Sequence, residues 1–462
     1  MVYDAQRWLG GDLPRAALIT GLYTLQGIPL GLVHGSFPYL LKKHLTYTDL
    51  AVFSFASYPY LFKLLWSPLV DSHHISYLGR RKSWIIPCQL LMGVLFLMAS
   101  PYIDAFLQSQ EHLYTLTGLM FLLILLAATQ DIAVDAWAVE LLEPENKALG
   151  STCQSLGQYI GFFVSFPLMI IANSAEFSAL YFGTTEAFLP VSGFFHLCGY
   201  LFIAFSLYVQ FLIPETSSSS EPPASLLSIL SSMLHILKLP HMQSLLGLLL
   251  TVRLGLAAFD SVLMLQLVEH GMDEVEMGAL SMALIPVEIA ITLAVGWKLS
   301  KGFSLSGYRL GYFIRIIANV ISLVVLLCTD QLVWPWYFPV LISCLLGAIG
   351  SNMMFSVITS LFFRVSQQGL SGTYMTFLAT VLNLGAQVPN TLALWTVDLL
   401  SSKGSCEQVG APCKDARNGF YPLALGSIVV SGVYFAFVLT KKTRELELLE
   451  ASDWHYNKAK AT

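Results

Sequence analysis

Asp131 and Asp135 stand four residues apart in an apolar stretch, so on a helix they share one face. An ionised carboxylate at the centre of a membrane helix costs roughly 2.5–3.5 kcal/mol on insertion scales, and two close together penalise each other further. Such a pair suits a proton-coupling or gating role facing the bundle interior. A fixed pairing with Lys63 explains it equally well, and Asp135 also lies near enough to Glu140, Glu143 and Glu145 for water to reach it. Downstream, Arg253 and Asp260 are seven residues apart, about two helical turns, with Glu288 and Arg315 in later apolar runs. Asp260 and Glu288 read as coupling or gating groups, or more plainly as partners in structural ion pairs. Lys63, Arg253 and Arg315 are the three bases inside the apolar runs and read as contacts for an anionic substrate, Arg through its two-pronged fork and Lys as a point charge.

A second constellation lies in a short polar loop. Asp71 closes an apolar run, and Gly79-Arg80-Arg81-Lys82 opens the next. An acid facing a basic turn can hold one access state of a transporter through charge contacts. Simple anchoring by positive charge is the plainer account. Gln26, Gln130, Tyr374 and Asn383 could hydrogen-bond a ligand or bridge helices. His34 and His196 sit in apolar runs as packing residues, and His73-His74 has no further ligands at metal-binding spacing, so no metal and no cofactor is expected.

These residues need elements to position them. With 55% hydrophobic and 11% charged residues among 462, the chain carries more apolar surface than a soluble fold can bury. Its apolar blocks are long enough to cross a bilayer, at roughly 14–40, 48–70, 83–101, 113–139, 150–173 and 190–213, then 241–268, 276–297, 309–328, 336–362, 372–397 and 420–440. The reading is an all-α integral membrane protein of twelve transmembrane helices. Residues 1–213 form an N-terminal six-helix half, 214–240 a Ser/Pro-rich and then amphipathic cytosolic linker, 241–440 a C-terminal six-helix half and 441–462 a cytosolic tail. Two parallel six-helix halves of pseudo-symmetric, major facilitator type would place a substrate cavity between them.

Charge sets the orientation. The termini and the loops after even-numbered spans hold 16 Lys and Arg, the opposite loops five. Cytosolic loops carry that excess, so both termini are expected in the cytosol. No removable signal peptide is expected, the first span doing the targeting. Basic residues are dispersed, which argues against a nucleic-acid partner. Cys406 and Cys413, in a non-cytosolic polar loop, are a candidate disulfide.

Several motifs carry a resemblance. Gln26-Gly27-Ile28-Pro29, the loop ending in Gly79-Arg80-Arg81-Lys82, Ala127-Ala128-Thr129-Gln130-Asp131-Ile132-Ala133-Val134-Asp135-Ala136-Trp137, Ser151-Thr152-Cys153-Gln154-Ser155-Leu156-Gly157-Gln158 and Gly372-Thr373-Tyr374-Met375-Thr376 together resemble the acetyl-coenzyme A transporter family, from about residue 21 to 398. More distantly the chain is similar to bacterial muropeptide permeases. The resemblance implies a multi-pass protein of the endoplasmic reticulum membrane that moves acetyl-CoA from cytosol to lumen for lumenal acetylation, with acetyl-CoA and the bilayer as partners and a homodimer left open. The alternatives are a muropeptide or other anionic-solute permease, and a membrane-embedded acyltransferase, for which neither His34 nor His196 sits in a catalytic signature. The expectation is a carrier, not an enzyme.

Overall fold

The computed structural model describes residues 12–41, 49, 52–75, 77–144, 146–214, 226–272, 274–329, 336–366, 371–401 and 418–454. The fold is all-α. Ten helices among these residues are long and apolar enough to cross a membrane: Leu13–Leu41, Lys82–Ala99, Gln110–Leu141, Lys147–Ala172, Val191–Leu212, Ala283–Ser300, Ser306–Cys328, Tyr337–Val365, Ser371–Val397 and Phe420–Glu447. Their outer faces are apolar, with Phe211, Leu212, Val429 and Phe437 all exposed, as a hydrocarbon solvent requires. Within the expected linker, residues 226–237 form the helix Leu226–Leu237.

The second and seventh expected spans are in pieces. Residues 54–72 run as a 3₁₀ turn Ser54–Ser57, a helix Tyr58–Phe62, a 3₁₀ turn Lys63–Leu65 and a helix Ser67–Ser72. Pro59 and Pro68 each sit in the first turn of a short helix. Proline has no N–H to continue the preceding ladder, so each one restarts the helix. The seventh span breaks into Pro240–Thr251 and Ala257–Glu269, with the turn 252–256 between them. Arg253 therefore lies in a turn, not two helical turns before Asp260 on a continuous helix as the spacing had suggested. The Gly255 carbonyl is met by the Ser431 hydroxyl at 2.6 Å, which satisfies a backbone group in the interrupted segment.

The chain forms two compact units. The first comprises 1–235, 362–377 and 455–462, and the second 236–361 and 378–454. In the first, Leu13–Leu41 packs on Lys147–Ala172 at a distance that only glycine permits. A Cβ on Gly27 would lie 2.6 Å from the Gln158 carbonyl, and one on Gly161 would overlap the Thr24 carbonyl. Small residues four apart on both helices bring the backbones together, and van der Waals contact replaces the hydrophobic drive that lipid cannot supply. An aromatic cluster in which Phe37 stacks on Phe195, itself edge-on to Phe96, fills one end of this unit. In the second unit Phe259, Val262, Leu326, Cys344 and Phe420 form the corresponding core.

Candidate functional site

Three charge clusters stand out. The first is at the loop after the second span. Arg81, fully buried, donates from Nη1 to Asp71 Oδ1 at 2.7 Å and from Nη2 to Glu140 at 2.5 Å and Ser371 at 3.2 Å. Burial opposes the guanidinium's charge, but Glu140 and Asp71 more than offset it and hold its pKa above the ordinary value. Asp71 Oδ2 accepts the Thr373 amide at 2.6 Å and its hydroxyl at 2.8 Å, so the carboxylate caps the start of the helix Ser371–Leu400. A Cβ on Gly372 would sit 2.8 Å from Asp71 Oδ1, which explains the glycine in that motif. Arg80 donates to the Asp71 carbonyl at 2.8 Å. Sequence reasoning found Asp71, Arg80 and Arg81 but treated Glu140 as part of a solvated acidic run and missed Ser371. The long-range partners had no local signal.

The second cluster is buried in the first unit. Lys63, presented by the 3₁₀ turn between Pro59 and Pro68, forms an ion pair with Asp131 Oδ2. The other Asp131 oxygen accepts from Gln26 Nε2 at 2.5 Å, and the same nitrogen lies 2.7 Å from the Tyr60 hydroxyl. One turn along the helix, Asp135 Oδ1 accepts from Tyr23 at 2.5 Å and from Gln154 at 3.1 Å. Both acids face the interior, and Asp135 is only 2% exposed. The sequence-based suggestion that water near the helix end makes its charge inexpensive is thus corrected, because the tightly packed Leu13–Leu41 helix covers it. Tyr23 and Tyr60 were not foreseen, since a tyrosine in an apolar run reads as packing.

The third cluster is in the second unit. Asp260 accepts from Arg253 at 3.1 Å through one oxygen and pairs with Arg315 through the other. Arg315 also donates to Ser351 at 2.6 Å. Glu288 shares a hydrogen bond with Asn352 and forms no ion pair among the described residues, contrary to the neutralising partnership expected of it. The sum of charges differs between the two membrane-embedded clusters: two carboxylates and one amine in the first unit, two guanidiniums and one carboxylate in the second. Lys63 and Arg253 each lie in the interruption of a broken span, the second and the seventh.

Other expected residues are placed as follows. Gln130 is buried and donates weakly to the Leu22 carbonyl at 3.4 Å, while Tyr374 is buried with its hydroxyl unpaired among the described residues. Asn383 is exposed. His196 Nδ1 shares a 2.7 Å hydrogen bond with Ser100, a packing role. Cys406 and Cys413 lie outside the described residues.

Comparison with known proteins gives these arrangements a context. The family profile for acetyl-coenzyme A transporter 1 matches residues 16–223 and 295–456. An uncharacterised protein of Schizosaccharomyces pombe is 30% identical, over 94% of this chain and 87% of its own length. The anhydromuropeptide permease of Escherichia coli is 30% identical over 153 residues, 33% of this chain and 30% of that one. Among solved structures, the fold matches the major facilitator superfamily transporter FucP in its outward conformation (TM-score 0.62, 14% identity, 94% of this chain and 98% of that one). It also matches the human organic anion transporter MFSD10 (TM-score 0.61, 13% identity, 93% and 99%). The chain belongs to the acetyl-coenzyme A transporter family and is a multi-pass membrane transporter with the major facilitator fold.

Proposed function

We propose that this transporter carries acetyl-CoA from the cytosol into the lumen of the endoplasmic reticulum by alternating access, supplying acetyl groups for lumenal acetylation. Both termini face the cytosol in this reading, on the strength of the 16 to five charge asymmetry. Arg253 and Arg315 engage the phosphates, and Gln26, Gln130, Tyr374 and Asn383 remain candidates for polar contacts. Asp71, Arg80 and Arg81 hold one access state. A diphosphate and a 3'-phosphate give CoA roughly four negative charges near neutral pH, by analogy with phosphoryl groups of about 1.5–2 each.

One observation beyond the family match carries this reading: in the second unit a buried guanidinium, Arg315, and a partly exposed one, Arg253, share a single carboxylate, Asp260. An uncompensated cation inside a membrane protein is costly, and an anionic cargo provides the missing charge. Lys63, whose charge Asp131 already neutralises, contributes less to the anion than the spacing had suggested. The second reading, an anionic sugar-peptide permease, draws on the muropeptide permease that matches a third of the chain.

The test is uptake of labelled acetyl-CoA into proteoliposomes, with a muropeptide and a neutral sugar-peptide in parallel. Acetyl-CoA uptake that Arg253→Ala abolishes supports the proposal. Wild-type protein that ignores acetyl-CoA and accepts a sugar-peptide refutes it.

A further inference from the structure

The acid surplus of the first unit is not explained by anion binding. Lys63, Asp131 and Asp135 are all buried, and the one cation pairs with Asp131. Among the described residues, the groups facing Asp135 are Tyr23 from Leu13–Leu41, Gln154 from Lys147–Ala172, Asp131 on its own helix, and Lys63 and Tyr60 from the broken span. Tyr23 and Gln154 are neutral donors. Asp131 is a like charge one turn away. Lys63 is engaged by that neighbour.

A carboxylate in that position, deprived of water and without its own counter-ion, neutralises by taking a proton. Both hydrogen bonds to Asp135 arrive at Oδ1, and none among the described residues reaches Oδ2, which is the oxygen left to bear the O–H. A separate observation on the same cluster is an unmet acceptor. Gln26 Oε1, on the amide that binds Asp131 and Tyr60, is buried with no hydrogen-bond partner among the described residues. A buried acceptor of this kind is positioned to receive a donor when the cluster opens to water.

We propose that Asp135 is a proton-carrying site and that its proton travels with the substrate, making the protein a proton-coupled symporter. On the side where the cluster meets water, hydronium gives its proton to the Asp135 carboxylate and leaves as water. The O–H forms and the cluster, now one amine against one carboxylate, is electrically neutral. A neutral cluster can pass through the dry intermediate that separates the two access states. On the other side Asp135 returns the proton to water and resumes its negative charge. Tyr23 positions the acid by holding Oδ1. The protonation state is independent of the identity of the cargo; only the coupling rests on the reading as an acetyl-CoA carrier.

Two measurements test these parts separately. Infrared spectra of purified wild-type protein at neutral pH should show a protonated-carboxyl stretch that Asp135→Asn removes. Lys63→Met, which deprives Asp131 of its cation, should increase that signal about twofold as both acids take protons. A wild-type signal unchanged by Asp135→Asn overturns the site whatever the protein transports. In proteoliposomes with the membrane potential clamped, acidifying the acetyl-CoA side should drive wild-type accumulation above equilibrium. Asp135→Asn should retain exchange of internal for external acetyl-CoA but lose the gradient-driven accumulation. Accumulation by the variant, or wild-type uptake indifferent to or slowed by the acid side, overturns the coupling. Absence of acetyl-CoA transport alongside an intact infrared signal refutes the cargo and not the proton site.

Discussion

The two units embed opposite charge excesses in similar settings. In the first, Lys63 emerges from an interrupted span to pair with Asp131, beside a second acid, Asp135; in the second, Arg253 emerges from an interrupted span and shares one acid with Arg315. The first break lets Lys63 reach across to the helix of Asp131, whereas Arg253 turns to Asp260 in the next piece of its own span and Arg315 reaches that acid from another helix. The difference teaches which cluster is complete. Where acids exceed bases the imbalance can be relieved by protons, which the solvent always supplies. Guanidinium cannot release its proton, so where bases exceed acids the imbalance calls for an anion.

The largest effect that would sharpen this contrast concerns a cation that is already fully neutralised. Arg81 sits buried between Asp71 and Glu140, so Arg81→Ala leaves a buried carboxylate unpaired and should cost about 3–5 kcal/mol of stability. Thermal unfolding in detergent measures it, and an unaltered midpoint would show the network to be ornamental. Milder neutralisation by Asp71→Asn, which keeps the shape, should slow uptake while ligand binding persists.

Next come the surplus arginines, whose removal should affect affinity more than folding. Arg315→Ala and Arg253→Ala each leave Asp260 one guanidinium, so the fold should survive, while acetyl-CoA binding weakens by about 2–5 kcal/mol. Arg253→Lys should keep part of that affinity, having charge without the fork. Calorimetry on folded variants decides it; loss of folding with unchanged affinity would recast both residues as structural.

A smaller effect is expected of Lys63→Met. Asp131 can take a proton when its partner is gone, so affinity for acetyl-CoA should change by less than about threefold, or roughly 0.6 kcal/mol. A loss equal to that of Arg315→Ala would erase the distinction between the clusters.

The smallest effect lies at the membrane edge. Burial tends to raise the Asp12 carboxyl's pKa, but the Glu143 amide, Asn146 and Arg15 outweigh it and hold the group below the usual carboxylate range. Its contribution to stability is complete above a pH of about 4, the unfolded value, and is lost as the pH falls through the lowered folded value. Asp12→Asn should therefore flatten the acid limb of the stability profile slightly and leave neutral pH behaviour almost unchanged.

Much of this was legible before any fold was known. The bilayer admits only helices and closed barrels, and apolar blocks of roughly 20 residues fit the helix, so composition and block length together announce an all-α membrane protein. The same medium makes each embedded ionisable group conspicuous, which is why Asp131, Asp135, Lys63, Arg253, Asp260 and Arg315 could be singled out by position. Pro59 and Pro68 also signalled breaks in the second span, although the sequence reading did not use them.

Pairing was a different matter. Nothing within a few residues of Asp71 indicates that Thr373 will donate to it, nor does any local pattern direct Tyr23 to Asp135 across 112 residues. In lipid the choice of partner depends on which helices approach closely. That depends in turn on small residues such as Gly27 and Gly161 meeting backbone to backbone. Sequence determined that buried charges exist and that lipid must not see them. Tertiary structure decided which were neutralised and where the excess lay, because electrostatic energy in a low-dielectric interior depends on distances of a few ångströms that residue order does not encode.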